Sequence, residues 1–193
     1  MKNFKTLNSL CLALATLLTT QGAVAADEPW MEAARAVATA VPPKLLQVLT
    51  DAIAQSGAAD AVTVCQDAAP KMAKAASEQS GWQIRRVSLR NRNPRAVPDA
   101  WERETLEEFD RRTAAGEAPA SLEKTTVQIV DGKGVQRYMR ALPTQNMCLA
   151  CHGPAERLAP GVAERLKALY PDDRAVGYSP GQIRGAMTLK RPQ

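Results

Sequence analysis

Five consecutive residues near the C-terminal end carry the clearest chemistry of the chain: Cys148, Leu149, Ala150, Cys151 and His152. Two thiols with this spacing can form thioether bonds with the two vinyl groups on one edge of a porphyrin. A histidine directly after the second thiol is then held under the iron as an axial ligand. The motif therefore predicts one covalently attached haem c, bound through Cys148 and Cys151, with iron coordinated by His152.

Two other uses of paired cysteines fit this chain poorly. A four-cysteine or a two-cysteine, two-histidine zinc site fits poorly, because His152 is the only histidine in the sequence and Cys11 lies in the apolar run near the start of the chain. A thioredoxin-like pair normally opens a helix early in its domain, whereas Cys148 and Cys151 come late in the chain. Haem attachment is the interpretation that remains.

The first residues have the pattern of an export signal. Lys2 and Lys5 give a basic start, residues 10–18 form an apolar run, and Ala23-Val24-Ala25 has the small residues of a cleavage site. We therefore expect residues 1–25 to be a cleaved signal peptide and the mature protein to lie in the periplasm. The apolar run is shorter than the roughly 20 residues needed to cross a bilayer, so no membrane span is expected.

Charge gives little reason to expect a nucleic-acid partner. The formal net charge is +5, and loss of the two signal lysines lowers it to +3. Two haem propionates bring the total nearer to neutrality, and export separates the protein from nucleic acid. The 168 residues that remain after cleavage suffice for a single domain with a core.

Local patterns predict an α+β fold in which helices pack against a small antiparallel sheet. Helices are expected at 30–57, with a break at Pro42-Pro43, and at 58–80, 100–115 and 162–170; strands are expected at 82–90, 122–130, 135–142 and 182–189. Asp131-Gly132-Lys133-Gly134 predicts a hairpin between the middle two strands. The alternative fold, a cytochrome c′-like four-helix bundle, requires that this hairpin be absent.

The second axial ligand is less well determined by residue type. With no second histidine, a bis-histidine haem is excluded. A methionine, a lysine, Cys65 and an open position all remain; Met72, Met139 and Met187 are the candidate methionines, although each is more typical of a flexible side chain that fills the core. Cys65 suits ferric iron well, because the negative charge of a thiolate offsets the positive charge of the iron.

Several further stretches, taken in order and spacing, resemble those of a known family. They are residues 61–70 around Cys65, Arg86-Val87-Ser88-Leu89-Arg90-Asn91-Arg92-Asn93-Pro94, Pro98-Asp99-Ala100-Trp101-Glu102, the haem motif with Gly153, and 170–185 with Gly177-Tyr178, Gly181 and Gly185. The family is that of the PAS-like monohaem c-type cytochromes with mixed histidine and cysteine ligation. Ala96 departs from its pattern, in which asparagine is usual.

The resemblance implies a PAS-like haem domain over residues 61–193, preceded by an N-terminal helical segment at 26–60. It also implies that Cys65 is the distal iron ligand opposite His152. The arginines of residues 85–95 are then candidates to hold the haem propionates, because guanidinium groups pair with carboxylates.

Such a site favours electron transfer with a periplasmic redox partner. The alternative is a redox or gas sensor in which Cys65 leaves the reduced iron and a separate signalling protein receives the change. A third interpretation is a haem enzyme of sulfur metabolism. We find no set of catalytic residues beyond the haem site, so we do not expect the protein to be an enzyme. The sequence does not identify the partner or the oligomeric state.

Overall fold

Four helices and four strands lie within residues 28–193, the part of the chain that the computed structural model describes. In chain order they are α1 (Pro29–Ser80), β1 (Gln83–Val87), α2 (Ala100–Ala114), β2 (Glu123–Val130), β3 (Lys133–Pro143), α3 (Leu149–His152), α4 (Val162–Leu169) and β4 (Ile183–Pro192). The signal peptide predicted at residues 1–25 lies outside the described residues.

Helix α1 is 52 residues long and changes direction at Gly57, whose φ of 83° is favoured by glycine. The break expected at Pro42-Pro43 is wrong, since the helix continues through both prolines. A proline ring fixes φ near its helical value, so the lost hydrogen bonds need not end a helix whose flanking residues are packed. The helix also continues past residue 60, the end of the predicted N-terminal segment. Neither α1 nor any other helix within residues 28–193 combines the length and apolar character of a membrane-spanning helix.

The four strands form one antiparallel sheet in the order β1-β4-β3-β2. The predicted hairpin between β2 and β3 is confirmed, with a tighter turn than expected. Asp131 and Gly132 alone form the turn, with φ of 50° and 75°. Positive φ at both residues is the conformation of a two-residue hairpin turn, whose twist matches that of the flanking strands. Lys133 and Gly134 already pair with β2. A four-helix bundle is therefore excluded.

Helices cover both faces of the sheet, and the clusters of buried apolar side chains show which helix covers which face. The first half of α1 packs Trp30, Ala34 and Ala38 against Ile84, Tyr138 and Leu189. On the other face, α2 packs Leu106 and Phe109 against Val87, Met139 and Ala186. Because neighbouring strand residues point to opposite faces, one sheet serves both clusters. The predicted α+β class is confirmed.

A third cluster joins the second half of α1 to α4. Val62 packs there with Val162, Leu166 and Tyr170, and Cys151 is partly buried against them. Burial of these side chains stabilises the contact of α4 with α1 by removing apolar surface from water. The cluster therefore fixes the part of α1 that carries Cys65 near the haem motif.

Candidate haem-binding site

The attachment motif forms a compact turn directly after β3. Residues Asn146–Cys148 form a 3₁₀ turn and Leu149–His152 form α3. Gly153 ends this helix by donating its N–H to the carbonyl oxygen of Leu149, at 2.9 Å. A Cβ at Gly153 would lie 2.6 Å from that oxygen, so only glycine allows the chain to leave the helix here.

The fold brings Cys65 close to the attachment motif, although 83 residues separate it from Cys148. All three cysteines of the described chain are free and half-buried. The pKa of Cys65 responds to Cys148, and that of Cys151 responds to both other thiols, so the three sulfur atoms share one electrostatic environment. α1 therefore contributes a third thiol to the site.

His152 is held by a hydrogen bond that fixes its tautomer. Its Nδ1 lies 2.7 Å from the carbonyl oxygen of Ala175, which can only accept, so Nδ1 carries the proton. Nε2 is left with a free lone pair, the usual state of a metal-ligating histidine. The Arg184 Nε, 3.2 Å from the same Nδ1, then has no lone pair to donate to, and its effect on the ring is electrostatic.

The surroundings of His152 also keep the imidazole neutral. Burial lowers its pKa well below the usual value, and the positive charges of Arg184 and Arg92 lower it further. The neutral ring is the form that binds a metal. Its edge-on contact with Tyr178, with ring centroids 6.4 Å apart, limits rotation of the imidazole.

A buried ion pair positions the loop that holds His152. Arg92 Nε donates to Asp173 Oδ2 at 3.0 Å, and both side chains are only 10% exposed. Arg92 also donates to the carbonyl oxygen of Cys151 at 2.6 Å. Asp173 Oδ1 accepts from the N–H of Ala175 at 2.8 Å. One ion pair thus joins the attachment turn to the residue whose carbonyl orients His152.

Arg86 and Arg184 are the cations that could hold the carboxylates of a cofactor. Within residues 28–193, neither has a carboxylate at ion-pair distance; Arg85 and Arg92 of the same predicted basic stretch are paired with Glu102 and Asp173. Burial lowers the pKa of both Arg86 and Arg184. Arg86 nevertheless keeps an exposed surface. Arg86 is thus crowded by protein atoms and still accessible to solvent, as is typical of a side chain on a concave surface.

These donors fit a c-type haem. Two thiols and an oriented imidazole match its covalent and axial bonds, and Arg86 and Arg184, which have no carboxylate partner within residues 28–193, are available to pair with its propionates. Burial raises the pKa of the Cys65 thiol, whereas the charges of Arg86, Arg92 and Arg184 lower it. The pKa of the thiol stays above its usual value, so the neighbouring arginines offset only part of the cost that burial imposes on a thiolate.

The methionines considered as ligands are placed less favourably. Met139 is fully buried in the cluster on the α2 face, and Met187 packs with Trp82 and Tyr138 on the α1 face. Met72 is half-buried on α1. Cys65 is the side chain that the fold places in the environment of the motif.

Sequence reasoning missed three parts of the site. Arg184 could have been noticed as the single charge in the mostly apolar first part of β4, from Ile183 to Leu189. Asp173 gave no such signal, because it lies in a polar loop. Ala175 acts through its backbone carbonyl, which any residue carries.

The fold and this site define an α+β protein in which a Cys-x-x-Cys-His turn and a thiol from a distant helix share one environment with Arg86 and Arg184, two arginines that have no carboxylate partner within residues 28–193. A family model, Tll0287-like, matches residues 15–192, and the chain belongs to this family. The predicted resemblance to monohaem c-type cytochromes is confirmed. The crystal structure of the cyanobacterial haem-protein Tll0287 is similar, with 28% sequence identity, a TM-score of 0.57, and coverage of 84% of this chain and 91% of that chain. No curated protein matches the chain.

Proposed function

We propose that this protein is a periplasmic monohaem c-type cytochrome that transfers electrons. In this proposal Cys148 and Cys151 hold the haem covalently, and His152 and Cys65 are its axial ligands. Membership of the Tll0287-like family and similarity to a haem-protein support haem binding and a cytochrome-like, non-enzymatic role. The haem supplies an iron that accepts and releases one electron.

One observation carries the proposal: a thiol from α1 shares the environment of a histidine whose Nε2 is free for a metal. Cys65 interacts with the charges of Cys148, Arg86 and Arg92. The bond from His152 to Ala175 leaves Nε2 unprotonated. A thiolate and a neutral imidazole are strong ligands for ferric iron, so both axial positions have a donor.

Retention of both ligands in the two oxidation states favours electron transfer, because little nuclear rearrangement is then needed. The hydrogen bond from His152 to Ala175 and the positive charges of Arg86, Arg92 and Arg184 near Cys65 support this part of the proposal. Arg86 and Arg184 would hold the two propionates and so keep the macrocycle in place.

Covalent attachment is tested by mass spectrometry of the denatured, exported protein. We expect one haem mass to remain bound in the native sequence and to be lost when Cys148 and Cys151 are both replaced by alanine. The measured mass of the polypeptide also shows whether residues 1–25 have been removed. Cell fractionation tests whether the protein lies in the periplasm. A native protein that releases all its haem on denaturation would contradict c-type attachment.

Axial ligation is tested by electron paramagnetic resonance of the ferric protein. We expect a low-spin thiolate spectrum that Cys65→Ala abolishes. Met72→Ala is the matched control, since it changes another half-buried side chain two helical turns away on α1. A spectrum unchanged by Cys65→Ala would remove Cys65 from the iron.

Carbon monoxide distinguishes electron transfer from sensing. A reduced protein that does not bind carbon monoxide keeps both protein ligands, as an electron carrier requires. Loss of the thiolate on reduction, with carbon monoxide in its place, would overturn the electron-transfer role in favour of a sensor.

A further inference from the structure

The outer side of β2 is an open edge of the sheet. In the strand order β1-β4-β3-β2, only β1 and β2 lack a neighbouring strand on one side. The edge at β1 is partly closed, because the N–H of Ile84 donates to Ser77 Oγ at 3.0 Å and the N–H of Ser88 donates to the carbonyl oxygen of Ala96 at 3.0 Å. β2 has no such cover from residues 28–193.

Alternate residues of β2 direct their backbone groups towards this edge. Val130 pairs with Lys133 across the two-residue turn, so the even-numbered residues of β2 form the backbone hydrogen bonds to β3. The N–H and C=O groups of Thr125, Val127 and Ile129 therefore point away from the sheet, and none of them has a protein partner in the described chain. These groups can pair with one further strand.

The edge lacks the features that usually protect an open strand. The pairing of β2 with β3 has no bulge, and residues 125–130 contain neither proline nor a charged side chain. Val127, Ile129 and Val130 are 42%, 73% and 48% exposed, and they are three of the six large apolar side chains that are exposed within residues 28–193. An open strand that is apolar and uncharged favours pairing with another strand.

We propose that β2 is a dimer interface, at which two copies of this chain pair antiparallel and form one eight-stranded sheet. The strand is complementary to itself about Gln128. In that register Val127 of each copy exchanges backbone hydrogen bonds with Ile129 of the other copy. The two valines and two isoleucines then pack together on one face of the sheet, which removes the most exposed apolar surface of β2 from water.

The charged residues at the ends of the strand permit this register. Lys124 of each copy lies opposite Gly132 of the other copy, and Thr125 lies opposite Asp131, so no like charges face each other. A two-fold interface needs only one surface, which both copies supply. Because the apolar contacts and the uncharged pairs all come from this one strand and its turn, a second copy of the chain is the partner that the edge fits.

The test is analytical ultracentrifugation of the haem-loaded mature protein at concentrations up to about 1 mM, together with residue-resolved hydrogen exchange. We expect a monomer–dimer equilibrium, with slower exchange of the amides of Thr125, Val127 and Ile129 as the dimer forms. A protein that stays monomeric throughout would overturn the proposal. Protection of these amides only after a different protein is added would also overturn it, because the edge would then bind a foreign strand.

Ile129→Lys distinguishes this interface from any other. Its side chain is 73% exposed, so the variant should fold with native stability. Dimerisation should weaken about tenfold or more, because two apolar contacts are lost and two charges enter the edge. Val97→Lys is the matched control, since Val97 is a 50% exposed apolar residue in the loop before α2, and it should dimerise like the native protein.

Native dimerisation of Ile129→Lys would contradict the assignment of the interface to β2. The same samples keep this result separate from the proposed function. Their haem content and ferric spectrum test haem binding and ligation, whereas their sedimentation tests only the pairing of β2.

Discussion

The Nδ1–H of His152 donates a hydrogen bond to the carbonyl oxygen of Ala175, 2.7 Å away. The orientation of the His152 ring is thus set by a loop 23 residues further along the chain. That loop is itself fixed by Asp173, which accepts from the N–H of Ala175 and pairs with Arg92. The geometry of the site depends on this loop as much as on the attachment motif.

Asp173→Asn should destabilise the protein and disorder the side chain of His152. Removing one partner of a buried ion pair costs about 3 kcal/mol, because Arg92 is left buried without its carboxylate. Urea unfolding measures the loss, and broadened ferric resonance lines report the effect on His152. Asp172→Asn is the matched control, as Asp172 is the exposed neighbour. Equal stability of the two variants would contradict the role given to Asp173.

Glu102→Ala should detach α2 from the sheet. Glu102 is 2% exposed, accepts from Thr188 Oγ1 at 2.9 Å and lies 3.2 Å from Arg137. Its loss leaves Arg137 buried without this partner, and we expect a decrease of about 3 kcal/mol in the free energy of unfolding. Glu104→Ala, at an exposed position of the same helix, should cost less than about 0.5 kcal/mol. Comparable losses in the two variants would show that the Glu102 network is not stabilising.

Gly153→Ala should reduce haem attachment. The added methyl would lie 2.6 Å from the carbonyl oxygen of Leu149, so the end of α3 must shift, at a cost of about 1–3 kcal/mol. The haem bound per polypeptide, measured by absorption of the denatured protein, should fall. Gly116→Ala tests backbone strain alone, since its φ is 94° in open space, and should leave the haem content unchanged. Full haem content in Gly153→Ala would contradict the argument.

Glu123 should contribute to acid unfolding. The hydrogen bond from Arg35 lowers the pKa of its carboxyl, burial opposes this, and the hydroxyl of Tyr138, 2.6 Å away, lowers it further. A pKa lower in the folded than in the unfolded chain gives stability that is complete above about pH 4.3 and is lost as the pH falls through the folded value. Glu123→Gln should therefore flatten the dependence of the free energy of unfolding on pH below about pH 5. Glu104→Gln should leave the dependence of the free energy of unfolding on pH as it is in the native protein. If Glu123→Gln also leaves this dependence unchanged, the Glu123 carboxylate does not contribute to acid unfolding.

Features that depend on neighbouring residues were predicted from the sequence. The start of α2 is an example: the helix expected from residue 100 begins there, where Asp99 accepts from the N–H of Glu102 at 3.0 Å and Glu102 accepts from that of Asp99 at 2.9 Å. The Asp131-Gly132 turn and the end of α1 at Gly81 are others. Each is decided by backbone preferences within a few positions, which the sequence displays directly.

The sequence alone therefore determined the attachment motif, the hairpin and the α+β class, because short-range chemistry decides them. Tertiary structure decided that α1 continues through Pro42 and Pro43, since packing outweighs the local preference, whereas the interruption at Gly57 lies where the sequence predicted one helix to end and the next to begin. It also decided that Arg184 lies 3.2 Å from His152 and that a backbone carbonyl orients the ring. Those contacts join residues far apart in the chain, and their energies exist only once the sheet and helices have packed together.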